Sequence, residues 1–181
     1  MWLFDWIQTI LQALGLASKE ARIVILGLDN AGKSTLLHKL CDNQLRSFVP
    51  TVKAHSRTFS LGKIKFTAWD LGGHEQVREL WEEYYSGADA VIFMLDSADR
   101  ARFGEAKAEL EGMLRVEEMA GVPVLILANK NDLQGSAGVE ELSSLLGVEA
   151  AGEGRGAELF SCSLVSGAGY IEGFRWLSDQ L

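Results

Sequence analysis

The sequence predicts an α/β fold, with a mostly parallel, six-stranded sheet flanked by helices. Short apolar runs rich in β-branched residues alternate with segments of helical periodicity. Two runs, residues 90–96 and 122–129, are apolar almost throughout, as expected for strands covered on both faces. Residues 51–60 and 63–70 alternate apolar and polar positions around Leu61 and Gly62, which is typical of a hairpin. Strands that alternate with helices require right-handed crossovers and place helices on both faces of the sheet.

Each element has its own signal. The first strand is apolar and β-branched, the hairpin alternates, and the later strands are short apolar runs between polar segments. The six strands are predicted at residues 21–27, 51–60, 63–70, 90–96, 122–129 and 158–162. The intervening polar-faced segments predict helices at residues 33–41, 75–86, 100–119, 139–146 and 170–181. Residues 147–156 are rich in glycine and glutamate and predict a loop. One domain, residues 17–181, accounts for all of these elements.

Composition restricts the function. A chain of 181 residues with 48% hydrophobic content is long enough for one domain with a proper core. Its net charge of −8 disfavours nucleic acid as a partner, because phosphate-backbone binding needs clustered cations. The two cysteines suit a reducing compartment. No run of about 18 apolar residues predicts a membrane-spanning helix.

Residues 1–16 predict an amphipathic helix that is separate from the domain. Asp5 and Gln8 interrupt the apolar stretch and no cation precedes Lys19, which argues against a signal peptide. A face of large apolar side chains could lie in a bilayer interface or dock in a groove of the domain, and each could hold in one nucleotide state. The proposed membrane-contacting residues are Trp2, Leu3, Phe4, Trp6, Ile7 and Ile10.

The segment after the first strand predicts a phosphate-binding loop. Residues 27–34 match the pattern G-x-x-x-x-G-K-[ST], in which glycines let successive N–H groups point at phosphate oxygens. The following helix adds the positive end of its dipole. The predicted phosphate contacts are Asp29, Asn30, Ala31, Gly32, Lys33, Ser34 and Thr35. Lys33 is expected to reach the β- and γ-phosphates and Ser34 to ligate Mg²⁺.

A second motif predicts that the base is guanine. Residues 129–132, N-K-N-D, follow the buried strand 122–129. The Asp132 carboxylate can accept hydrogen bonds from N1–H and the N2 amino group of guanine, a pair of donors that adenine lacks. The Lys130 stem can lie along the base, and Asn129 can tie this loop to the phosphate loop. After the last strand, Cys162, Ser163 and Leu164 are expected to border the base, with the Ser163 N–H meeting guanine O6.

Residues between the two motifs predict a switch that senses the γ-phosphate. Asp70 ends a hairpin strand and can hold the Mg²⁺ shell, while the Gly73 N–H can bond the γ-phosphate. Thr51 follows Val49 and Pro50 and can close over the metal. These contacts need a third phosphate, so its loss would release both segments.

Taken together, G-L-D-N-A-G-K-S-T, V-P-T, D-L-G-G-H and N-K-x-D resemble the Arf superfamily of small GTPases, and most closely its Sar-type members, which start COPII coat assembly. Trp2 replaces the glycine that myristoylation would require, and the closing segment 169–178 is also Sar-like. Residues 147–157 are shorter than in typical Sar proteins, and Ser34 replaces a more common threonine.

The resemblance implies the P-loop GTPase fold, a GTP/GDP cycle with Mg²⁺, and a role for His74 in orienting the attacking water. It also implies a membrane-bound exchange factor, COPII inner-coat subunits that include the GAP, and endoplasmic reticulum lipid as partners. The protein would then be cytoplasmic and peripheral on the cytosolic face of the endoplasmic reticulum, with the Golgi as the alternative. No arginine is obviously placed to act in cis, so fast turnover would need the arginine of a GAP, worth about 10³–10⁵ in rate.

Two other functions remain open at this stage. One is an Arf-like trafficking GTPase outside the COPII pathway. The other is an interaction module that holds GTP without hydrolysing it, which the presence of Lys33, Ser34, Thr51, Asp70 and His74 disfavours. A metabolic P-loop kinase is disfavoured because it has no use for N-K-x-D.

Overall fold

The computed structural model describes residues 19–42, 54–73, 81–85, 87–148 and 156–181. The predicted membrane helix, Thr51 and His74 lie outside these residues. In the described part, no helix is long and apolar enough to cross a membrane.

Six strands form one sheet, as predicted. They are β1 (Lys19–Gly27), β2 (His55–Leu61), β3 (Ile64–Asp70), β4 (Ala90–Asp96), β5 (Val124–Asn129) and β6 (Ala157–Ser161). Their order across the sheet is β2-β3-β1-β4-β5-β6, and only the β2–β3 pair is antiparallel. The five parallel strands therefore end at the same edge of the sheet, where ligands of open α/β sheets bind.

Within the described ranges, five α-helices connect or follow these strands. They are α1 (Lys33–Asp42), α2 (Trp81–Tyr85), α3 (Phe103–Leu114), α4 (Val139–Leu146) and α5 (Tyr170–Gln180). Alternate side chains of the strands point to opposite faces, so each face carries its own apolar cluster. Val24, Val91 and Ile126 belong to the cluster that includes side chains of α2, α3 and α4. Ile23 and Ile92 belong to the cluster that includes side chains of α1 and α5.

The predicted helix over residues 100–119 is wrong as a single element. The structure has a 3-10 turn (Arg100–Arg102), then α3, then a second 3-10 turn (Glu117–Met119). The helix ends because Val116 is extended, with φ −72° and ψ 133°. This break turns the chain so that Met119 is fully buried in the core.

Other boundaries shift by a few residues. Strand β1 begins at Lys19, two residues early, because Lys19 and Glu20 still pair with Ile64 and Lys65 of β3. Strand β5 begins at Val124 because Pro123 has no N–H to donate to a ladder, although its carbonyl accepts from Val91. The carboxyl ends of β1, β3, β4 and β5 lie at the predicted residues, and β6 ends one residue earlier than predicted.

Candidate functional site

The loop between β1 and α1 is wound tightly enough to require its glycines. Gly27 and Gly32 have φ of 127° and 104°, and Asn30 has φ 63°. A Cβ on Gly27 would lie 1.9 Å from the Met94 carbonyl oxygen, and one on Gly32 would lie 2.5 Å from Nδ2 of Asn129. Side chains at either glycine would collide with the strands on which the loop rests. The predicted phosphate loop is thus pressed against the ends of β4 and β5.

Lys33 brings a buried positive charge to this loop. Its side chain is nearly buried, and Nζ donates to the carbonyls of Gly27 and Leu28, both at 2.8 Å. These two bonds hold the ammonium group against the start of the loop. Removing it from water is costly unless it is hydrogen-bonded or paired, so its burial suits an anion site.

Ser34 and Asp70 meet at the beginning of α1 and the end of β3. The Ser34 hydroxyl donates to Oδ2 of Asp70 at 2.6 Å, and Asp70 is only 3% exposed. A hydroxyl and a buried carboxylate are the hard oxygen ligands that Mg²⁺ prefers. The two predicted metal ligands within the described residues are therefore in contact and fit this ion; the third, Thr51, lies outside them.

The segment after Asp70 lies directly on the phosphate loop. A Cβ on Gly73 would be 2.2 Å from the backbone nitrogen of Asp29, so only glycine can approach this closely. Trp81 is buried, and its Nε1–H donates to the Gly72 carbonyl at 3.0 Å. This bond attaches the glycine segment to α2.

Asn129 joins the phosphate loop, residues 27–34, to residues 129–132, the base loop. Its side chain is 4% exposed; Nδ2 donates to the Ala31 carbonyl at 2.9 Å, and Oδ1 accepts from the Leu164 N–H at 3.2 Å. One amide thus connects three loops at the ends of β1, β5 and β6. The tie from Asn129 to the phosphate loop is present as expected.

In the base loop, the Lys130 side chain is paired with a carboxylate and the Asp132 side chain is exposed. Lys130 adopts φ 70°, and its Nζ forms an ion pair with Oδ2 of Asp96 at 2.7 Å. Asp96 ends β4 and was not singled out from the sequence, because no motif marks it. The Asp132 side chain is exposed, so the carboxylate expected to read guanine is open to solvent.

The expected contact between the Ser163 N–H and guanine O6 does not fit the structure. That N–H donates to the Ala168 carbonyl at 3.0 Å within a turn. The N–H beside it, of Leu164, is directed at Asn129 instead. Cys162 is fully buried beneath this turn, and burial raises the pKa of its thiol to about 12.

Sequence reasoning missed Arg102, which contacts the phosphate loop. Its Nη2 donates to Oδ1 of Asp29 at 2.7 Å and its Nη1 to the Asp29 carbonyl at 3.4 Å. These residues are separated by 73 positions in the chain, so no local pattern indicates the contact.

Comparison with known proteins identifies the family. The model of the ADP-ribosylation factor family matches residues 7–181. The chain is 40% identical to the small COPII coat GTPase SAR1 of Giardia intestinalis, with 98% of each chain covered. It is 41% identical to the protein of that name from Nicotiana tabacum, with 100% of each covered. It is also 42% identical to ADP-ribosylation factor-like protein 1 of Drosophila melanogaster, with 92% of each covered.

A solved structure agrees with these relatives. The Arl6 BBS3 small GTPase of Trypanosoma brucei, with bound nucleotide analogue GppNp, superposes with a TM-score of 0.81 at 34% identity. The match covers 89% of this chain and 96% of that one. The predicted fold and the resemblance to the Arf superfamily are confirmed. The chain belongs to the ADP-ribosylation factor family of small GTPases, enzymes that hydrolyse GTP.

Proposed function

We propose that this protein is a Sar-type switch that recruits the COPII inner coat in its GTP form and so supports vesicle formation from the endoplasmic reticulum towards the Golgi. The observation that carries the nucleotide part is the joining of the phosphate loop and the base loop by Asn129. One ligand with phosphates at one end and guanine at the other fits this edge of the sheet. The similarity to proteins named SAR1 over the whole chain supports the COPII part.

The phosphate end is arranged for positioning and charge neutralisation, which is most of what phosphoryl transfer requires. Lys33 and the N–H groups of the loop bind the β- and γ-phosphates. Ser34, Asp70 and Thr51 would hold Mg²⁺, whose charge offsets that of the β- and γ-phosphate oxygens. In this proposal the Gly73 N–H bonds the γ-phosphate.

Hydrolysis then needs an oriented water. A ring nitrogen of His74 accepts a hydrogen bond from the water, whose oxygen bonds to the γ-phosphorus as the bond to the β–γ bridging oxygen breaks. The products are GDP and phosphate. Among the described residues, Arg102 contacts the phosphate loop and forms ion pairs with two carboxylates, those of Asp29 and Glu105. Turnover is therefore expected to be slow until a GAP acts.

Guanine selection is assigned to Asp132 and is tested by Asp132→Asn. An asparagine can accept from N1–H but cannot accept from the N2 amino group, and its own NH₂ matches the 2-oxo group of xanthine. The variant should lose GTP affinity by about 10²- to 10⁴-fold, the loss expected from charge-assisted hydrogen bonds, and gain affinity for XTP. Asp179→Asn, an exposed change on α5, is the matched control. Calorimetry showing unchanged GTP affinity in Asp132→Asn would refute the base assignment.

The N-terminal helix, residues 1–16, is assigned to the membrane. In this proposal GTP releases the helix from a groove of the domain, and its apolar face inserts shallowly in the cytosolic leaflet. GTP-loaded protein should then pellet with liposomes far better than GDP-loaded protein. Deleting residues 1–14 should remove this difference between the two nucleotide states. If the GTP-loaded truncated protein pellets as well as the GTP-loaded full-length protein, the helix is ruled out as the anchor.

A second candidate is a trafficking GTPase outside the COPII pathway. Similarity to an ADP-ribosylation factor-like protein, at an identity close to that of the SAR1 proteins, supports it. Binding assays that compare GTP- and GDP-loaded protein with purified COPII inner-coat subunits separate the two. GTP-dependent binding supports the Sar-type function, and its absence supports the second candidate.

A further inference from the structure

The phosphate loop of this protein carries an acid. Asp29 lies two residues after Gly27, and its backbone nitrogen is part of the loop expected to surround the phosphates. A carboxylate at this position repels a polyphosphate, because like charges at short range in a partly buried site interact strongly. Nucleotide binding therefore needs something that offsets this charge.

Arg102 supplies the opposite charge. The Asp29 and Arg102 side chains are 28% and 29% exposed, and Nη2 lies 2.7 Å from Oδ1 of Asp29. The same guanidinium also reaches the Asp29 carbonyl with Nη1, at 3.4 Å. Arg102 thus contacts both the side chain and the backbone of one residue in the loop.

The guanidinium is itself held from the other side. Its Nε donates to Oε2 of Glu105 at 2.7 Å and its Nη2 to Oε1 at 3.1 Å, across the first turn of α3. The Glu105 carboxylate first, and that of Asp29 second, raise the pKa of Arg102 above its ordinary value, so the group remains charged. A planar fork with five N–H donors can serve two carboxylates and a carbonyl, which one lysine ammonium cannot do in the same geometry.

We infer that Arg102 is a positioning residue for nucleotide retention: it neutralises Asp29 and fixes the phosphate loop to α3, which slows nucleotide release. This inference rests on the proposed binding of guanine nucleotides. It assigns to Arg102 a role in the nucleotide site through Asp29, without contact to the reacting atoms. It also implies that the Asp29 carboxylate weakens nucleotide binding when its ion pair with Arg102 is broken.

The test measures release of a fluorescent GDP analogue from the full-length protein into excess unlabelled GDP. Arg102→Gln should accelerate release about tenfold, the loss expected from charge-assisted hydrogen bonds in a partly exposed pair. Arg102→Lys keeps the charge and should fall between Arg102→Gln and the unchanged protein. Arg100→Gln is the matched control, because Arg100 lies on the same turn and pairs with Glu141 instead.

A double variant separates charge neutralisation from a general loosening of the fold. If Arg102 acts by neutralising Asp29, adding Asp29→Asn to Arg102→Gln should slow release again, whereas loosening would not be reversed. Release from Arg102→Gln no faster than from Arg100→Gln overturns the inference, as does a double variant no slower than Arg102→Gln. If Arg102→Gln does not fold, release from Arg102→Lys at the rate of Arg100→Gln overturns it. If the unchanged protein binds no guanine nucleotide, the proposed function fails and the inference fails with it.

Discussion

Replacing Asn129 by alanine tests whether one amide holds the nucleotide site together. The substitution removes the Nδ2–H that donates to the Ala31 carbonyl at 2.9 Å and the Oδ1 that accepts from the Leu164 N–H at 3.2 Å. The Ala31 and Leu164 residues are 1% and 2% exposed, so water cannot easily replace either bond. An unsatisfied buried polar group costs about 1–3 kcal/mol. Two such groups predict a loss of about 2–6 kcal/mol in the free energy of unfolding.

Asn131→Ala is the matched control for this prediction. Asn131 belongs to the same tetrapeptide but is exposed, and its Nδ2 donates to the Ser161 hydroxyl at 3.0 Å. Its loss should cost less than about 0.5 kcal/mol, as most surface substitutions do. Urea unfolding of both variants, followed by circular dichroism, measures the difference, and nucleotide release should be faster only in Asn129→Ala. Equal stabilities of the two variants would refute the reasoning.

Two further predictions concern a glycine of the phosphate loop and the free energy of unfolding at alkaline pH. Gly27→Ala should lower the free energy of unfolding by about 3 kcal/mol or more, because its Cβ would lie 1.9 Å from a backbone oxygen at φ 127°. The control Gly112→Ala, in open space along α3, should raise it by about 0.5–1 kcal/mol. A loss below about 1 kcal/mol for Gly27→Ala in urea unfolding would contradict the close contact. Burial raises the pKa of the Cys162 thiol from 9.0 to about 12, and burial with the charges of Glu82 and Glu118 raises that of Tyr85 from 10.0 to about 12. The unfolded chain therefore releases these protons first, and stability should be full below pH 9 and fall as the pH rises towards 12. The free energy of unfolding, measured across this pH range, should fall less in Cys162→Ala than in the unchanged protein. An equal fall in both would show that the thiol does not contribute.

Local patterns accounted for most of the strands and for the residue types of the site. The phosphate loop could be recognised because its glycines, lysine and serine are adjacent in sequence, and the interactions that shape the loop are mostly local. The Ala31–Asn129 tie could also be anticipated, since both residues lie at the carboxyl ends of parallel strands of one sheet. The limits of the helices were predicted less well, because the break at Val116, which leads to the burial of Met119, leaves no mark in the periodicity of residues 100–119.

The partners of the site side chains were not available from the sequence. Lys130 pairs with Asp96 because β4 lies beside β5, with Asp96 opposite Asn129. The Ser163 N–H donates to the Ala168 carbonyl, in a turn that residues 161–163 did not indicate.

By itself, the sequence determined the mostly parallel α/β sheet, the G-x-x-x-x-G-K-[ST] motif after the first strand and the N-K-x-D motif at the end of the fifth, because these features are written in adjacent residues. Only the tertiary structure decided that Arg102 sits on Asp29 and that Asn129 connects three loops. Such contacts join residues far apart in the chain, and they depend on strand order and register, which are set by the packing of the whole sheet.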